Sequence, residues 1–116
     1  MQAALGEWEE AVISYRRVIA ADPADTASLD QLVAVLIRIS GAAVSEGRLN
    51  DAASAYQELV ELHPGDSDLH NNFGIILAKS GDLVAAAAQF EAALRVNPAH
   101  PVARRNLEAI RKKLNP

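Results

Sequence analysis

Four kinds of residue recur along this chain at one shared pair of spacings, and that repetition restricts the fold more tightly than any other feature. Glycines stand at Gly6, Gly47 and Gly81, and small residues follow five positions later at Ala11, Ala52 and Ala86. Aromatics come next at Tyr15, Tyr56 and Phe90, and prolines close the units at Pro23, Pro64 and Pro98. Each column is spaced by 41 and then by 34 residues. Periods of this length mark an array of one supersecondary unit, each copy burying the face its neighbour exposes. The columns have separate physical tasks. A glycine ends a helix where a left-handed residue is least costly. The alanine sits where two antiparallel helices come too close for a larger side chain, and the aromatic fills the wedge toward the next pair. The proline stops a helix and disfavours helical geometry in the residue before it.

Between these marks the apolar spacing is helical. Leu49, Ala52, Ala53, Tyr56, Leu59 and Val60 fall on one stripe, as do Leu83, Ala86, Ala87, Phe90, Ala93 and Leu94. The pattern predicts helices over residues 7–21, 26–46, 49–62, 67–80, 83–96 and 101–114, with Pro101 at a favourable first helical position. Composition agrees. Of 116 residues half are hydrophobic, yet only 4% are aromatic and 23 are alanine, which suits close-packed helices and not a β-sandwich. The length corresponds to one domain. With no cysteine, disulfides and thiolate metal sites are excluded. A net charge of −4 argues against a dedicated nucleic-acid binder. The longest apolar stretch, Val33 to Val44, is short for a membrane span and contains Arg38, and no charged leader precedes it. The expectation is a cytoplasmic protein without a membrane partner.

The columns resemble those of the tetratricopeptide repeat family. Ser67 to His100 is the clearest copy, with Phe73-Gly74, Gly81-Asp82-Leu83, Ala86, Phe90, Ala93 and Asn97-Pro98; Gly6 to Ala11 and Ala21-Asp22-Pro23 match the two ends of a second helix. The resemblance covers essentially the whole chain. It implies an all-α, right-handed α–α superhelix: a partial repeat over residues 1–25, a repeat over 26–66, another over 67–100, and a cap helix over 101–116. It also implies a non-catalytic scaffold for protein–protein interaction.

Two departures stand out. The first unit lacks most of its leading helix, so residues 1–5 read as the last turn of a helix ending at Gly6. Trp8, Val12, Tyr15 and Ile19 would then form an uncovered edge, belonging either to a fragment of a longer repeat protein or to a surface that docks a second copy. The second unit carries seven extra residues between Pro23 and Gly47. Seven residues are almost two helical turns, drifting only about 20° in phase. One long helix is therefore expected, with Ser40-Gly41 as the place where it would otherwise kink.

No constellation for chemistry is present. None of His63, His70 and His100 lies three or four positions from another histidine, as a helical metal pair requires. His63 and His100 precede prolines and read as turn or cap residues. No nucleophile elbow or glycine-rich phosphate loop occurs. The expectation is no enzyme, no cofactor, no metal and no small-molecule substrate. From residue 99 onward the balance is five basic residues against one acidic, concentrated in Arg104, Arg105, Arg111, Lys112 and Lys113. Those late cations suit a solvated cap helix and its dipole.

In the family the first helices of successive units line a concave groove that is the usual ligand surface. The groove column here gives Gln31 or Arg38, depending on how the insertion is threaded, then Asn72 and Asn106. The two asparagines, 34 apart, are similar to the asparagine ladder in the repeat region of O-linked N-acetylglucosamine transferases, whose amides offer both donors and an acceptor to a peptide backbone. Asp30, Asp68, Asn71, Ile75, Lys79, Arg105 and Ala109 complete the expected groove. The carboxylate clamp that grips chaperone tails is matched only at Asn72, since Asp30, Val102 and Asn106 stand where its basic residues would be. The expected ligand is an extended peptide or partner helix. The alternatives are a structural module that self-associates through the N-terminal edge, and a targeting appendage of a larger enzyme.

Overall fold

The computed structural model describes residues 2–22 and 24–116, with side chains from residue 10 onward except Ala11. The chain forms α1 (Gln2–Ala21), α2 (Thr26–Ser45), α3 (Leu49–Leu62), α4 (Ser67–Lys79), α5 (Leu83–Val96) and α6 (Pro101–Leu114). Among the described residues there is no strand. Each helix packs on the next in sequence, and α4 also touches α6, giving an elongated slab of 47 × 32 × 18 Å. This is the superhelical array that the repeat columns imply.

The turns show why the columns recur. Gly47 and Gly81 adopt φ of +76° and +94°. After α2, Gly47 N–H donates to Val44 O at 3.0 Å and Arg48 N–H to Ala43 O at 2.7 Å; after α4, Gly81 and Asp82 repeat both bonds to Ala78 and Leu77. Two orphan carbonyls are satisfied in each case by one left-handed residue. Starts are capped by side chains: Asp25 accepts from Ser28 N–H, Asp66 from Asp68 and Leu69, Asp82 from Ala85, and the His100 ring from Ala103. His100, read as a turn or cap residue, caps α6. Pro23, the first of the repeat prolines, lies outside the described residues.

The alanine and aromatic columns carry the packing. Ala52 and Ala86 are completely buried, and Phe90 is 1% exposed. Tyr56 and Phe73 stack with ring centroids 6.4 Å apart, linking α3 to α4. Phe90 lies so close to Gly74 that a Cβ there would meet ring atoms at 2.6–2.9 Å. The equivalent position one unit earlier is Ser40, buried opposite Tyr56. A small residue on the first helix and a ring on the second is thus the repeated contact.

Two expectations need correction. α1 runs unbroken through Gly6. A helix-interior glycine costs only about 1 kcal/mol relative to alanine, so a glycine alone does not end a helix. The stretch Val33 to Val44, expected to be short for a membrane span, lies within α2, which is by length and composition long and apolar enough to cross one. Leu32, Leu36, Ile39, Ser40 and Ala43 of this helix are buried. The seven extra residues lengthen it without a break: α2 has 20 residues where α4 has 13.

Replacing Gly74 by alanine should destabilise the fold by about 1–3 kcal/mol, since the Phe90 ring must move. Gly41→Ala, at a position with nothing within 4 Å, should instead stabilise by up to about 1 kcal/mol. Urea midpoints separate the two. Hydrogen bonds from the Ser28 backbone and hydroxyl hold the Asp25 carboxyl below its ordinary 3.8. That contribution is complete above the ordinary value and disappears as pH falls through the lowered one. An Asp25→Asn variant, which caps without titrating, should show a shallower fall in melting temperature between about pH 4 and 2.

Candidate functional site

The helices divide the molecule into two working faces. On one, α2, α4 and α6 lie side by side, with Tyr56 of α3 and Phe90 of α5 reaching through from behind. On the other, α1 and α3 face each other across a wide cleft.

The α2–α4–α6 face contains two adjoining depressions that share Ile75. The first, about 300 Å³, lies between α2 and α4 and is lined by Ile37, Ser40, Gly41, Val44, Tyr56, Asn72, Ile75 and Ile76. The second, about 220 Å³, lies between α4 and α6 and is lined by Ile75, Ala78, Lys79, Phe90, Asn106, Ala109, Ile110 and Lys113. Of the groove residues read from the sequence, Asn72, Ile75, Lys79, Asn106 and Ala109 line these depressions. The side-chain amide of Asn72 interacts with the Tyr56 hydroxyl. Burial pushes the Tyr56 phenol up from its ordinary 10.0, an effect the Asn72 hydrogen bond partly opposes, so the floor presents a neutral hydroxyl.

Other expected groove residues are placed differently. Asn71 is 5% exposed, and its Oδ1 accepts from Asn106 Nδ2 at 3.1 Å. Asn106 is thus partly committed to holding α6 on α4. Asp68 accepts from His100 Nε2 at 2.8 Å, while the other ring nitrogen accepts from Ala103 N–H at 3.1 Å, so the neutral tautomer with Nε2 protonated fits both bonds. Arg38 and Arg105 are exposed and line neither depression. Asp30 and Gln31 lie nearer the N-terminus of α2 and are also outside both.

Sequence reasoning missed Ile37, Gly41, Val44, Tyr56 and Lys113. The available signal was the 34-residue register: Gly41, Ile75 and Ala109 form one column, and Lys79 and Lys113 another.

The expected N-terminal edge is partly covered, and Val12 and Ile19 line the open α1–α3 cleft. Val12 is buried, and Tyr15 and Ile19 pack against the core of α2 and α3, because the long α2 supplies the surface they lean on. The Trp8 side chain lies outside the described residues. What remains open is the α1–α3 cleft, with depressions of about 550 and 320 Å³ and the Arg16–Glu58 ion pair in both linings.

His70 joins α4 to its neighbours, its Nε2 2.8 Å from Pro64 O and its Nδ1 2.9 Å from Gln89 Oε1. Among the described residues no group of three His, Asp or Glu side chains is placed to hold a metal ion.

A chain of paired helices at this period, with these turns and a small residue against a ring in each unit, is a helical-repeat protein. The model of the tetratricopeptide repeat family matches residues 41–103, and the chain belongs to that family. It is 33% identical over 85 residues to the tetratricopeptide repeat and J domain-containing co-chaperone DNJ1 of Fusarium oxysporum f. sp. lycopersici, covering 73% of this chain but only 15% of that protein. Its fold is similar to the first such domain of Spaghetti (RPAP3) bound to an HSP90 peptide, with TM-score 0.66, 20% identity, and 96% and 82% of the two chains covered. It is also similar to the Yersinia enterocolitica type III secretion chaperone SycD in complex with a peptide of the translocator YopD, with TM-score 0.59, 18% identity, and 98% and 87% covered.

Because Asn106 satisfies buried Asn71, Asn106→Ala should lower stability by about 1–2 kcal/mol. Exposed Asn72→Ala should stay within about 0.5 kcal/mol. Thermal or urea unfolding of the two single variants tests the distinction.

Proposed function

We propose that this domain is a non-catalytic interaction module that holds an extended peptide or partner helix across the α2–α4–α6 face. The observation that carries the reading is the pair of adjoining depressions sharing Ile75, in which Asn72, Lys79, Asn106 and Ala109 also gather. Apolar floors with a few amides at the rim suit a ligand held by side-chain burial and backbone hydrogen bonds together. The RPAP3 and SycD structures, which hold peptides, support this reading by their shared fold. Ordering a flexible ligand offsets part of the contact energy, so affinity should be modest.

A second reading is favoured by the α1–α3 cleft, where Ile13 is 49% exposed and lines the smaller depression. There the domain would associate with a second copy or extend a longer solenoid.

Photo-crosslinking tells the two apart. Benzoylphenylalanine placed at position 37 or 109 should capture discrete proteins from the source cell's lysate, and the same probe at position 57 on α3 should not. Capture from position 57 alone would move the site to the cleft. Crosslinked dimers of the chain from that position would favour self-association.

A further inference from the structure

The groove contains a residue that the fold does not require. Gly41 lies in the interior of α2, where glycine costs about 1 kcal/mol relative to alanine. Its φ is not positive, and a Cβ built on it meets nothing within 4 Å. Gly74, by contrast, is demanded by the Phe90 ring. In the repeat register Gly41 stands where the next unit has Ile75, so the side chain that Ile75 supplies is missing here. Its absence leaves the depression of about 300 Å³, walled by Ile37, Val44 and Ile75 over the Tyr56 ring. Pockets for whole small-molecule ligands begin at roughly that size, so there is room for one large side chain.

The adjoining depression differs in charge. Its two charged lining residues, Lys79 and Lys113, are both cations, and neither depression has a carboxylate in its lining. This stands out in a chain of net charge −4. The two depressions lie between successive helix pairs, so their centres are offset by about one interhelical spacing, ~8–10 Å. At about 3.3 Å per residue of extended chain, that is about three residues.

We propose that the groove recognises an extended peptide by two anchors about three residues apart: a bulky apolar side chain in the Gly41 depression and an aspartate or glutamate side chain against Lys79 and Lys113. This specifies the ligand of the peptide groove proposed above and rests on that reading. Gly41 is the specificity-determining position, since any larger residue fills the socket without disturbing the core.

The test is selection of phage-displayed random dodecapeptides on the whole chain, followed by fluorescence-polarisation titration of the enriched peptides as synthetic conjugates. Wild type is compared with Gly41→Leu and with Lys79→Glu/Lys113→Glu, whose altered positions are all exposed. Circular dichroism and urea midpoints check folding. Enriched peptides should carry Leu, Ile, Met or Phe with an acidic residue about three positions away. Each variant should weaken binding at least about tenfold, and the wild-type affinity should fall with added salt. Peptides lacking an acidic residue at that spacing, yet lost on Gly41→Leu, would overturn the two-anchor proposal while leaving the peptide groove standing. Peptides indifferent to both variants, or no enrichment, would overturn both. Self-association of wild type in sedimentation velocity, abolished by Gly41→Leu, would assign the socket to a second copy and overturn the proposal.

Discussion

The close approach of α4 to α5, where Phe90 lies against Gly74, is the contact on which the arrangement around the groove depends. A Cβ at Gly74 would sit 2.6–2.9 Å from the ring, so the helices can meet this closely only because one side chain is absent. The approach buries Phe90 almost completely and turns the opposite side of α4 outward. Asn72, Ile75 and Lys79 lie along that outward side, and α6 is fastened to α4 through Asn71–Asn106 and Asp68–His100. Loosening α4 from α5 would therefore disturb the second depression before it disturbed the rest of the array.

The repeat was legible because each column answers a hard steric demand. A left-handed turn at Gly47 or Gly81, a zero-clearance crossing at Ala52 or Ala86, and a helix stop at Pro64 or Pro98 each exclude most other residues. Such demands leave marks in sequence even where overall identity is low. The groove was less legible because its demands are softer. Asn71 and Asn72 are neighbours in sequence but about 100° apart on the helix, and only packing decides that Asn71 turns inward. The choice between Gln31 and Arg38 depended on where the seven extra residues enter. The structure threads the groove in the 34-residue register, which places the added length in the N-terminal part of α2 and makes Gly41 the partner of Ile75. Gly6 misled because an interior glycine costs a helix only about 1 kcal/mol and does not by itself end it.

Charge is distributed along the same division of faces. The α1–α3 cleft carries Glu58, Glu61 and Asp51 beside Arg16 and Arg48, and its ion pairs are surface pairs of small individual value. The groove carries Lys79 and Lys113 without acidic partners in its lining. Lys113 lies in the last turn of α6, where a cation also complements the helix dipole by about 0.3–1 kcal/mol. One side chain can serve both purposes, because the dipole interaction fixes its sign and the repeat register fixes its face.

The long α2 joins two tasks that the shorter α4 does not have to combine. Toward its N-terminus, Leu32 lines the α1–α3 cleft beside Ile19 and Leu62, which gives α1 a surface to pack on. Toward its C-terminus, Ile37, Gly41 and Val44 line the groove. An insertion that broke helical phase would have turned one of these surfaces away from its task, whereas seven residues keep both within about 20° of alignment. The apolar character that makes α2 long and greasy enough to cross a membrane has in part the same origin: Leu32, Leu36, Ile39 and Ala43 are buried and Ile37, Gly41 and Val44 line the groove.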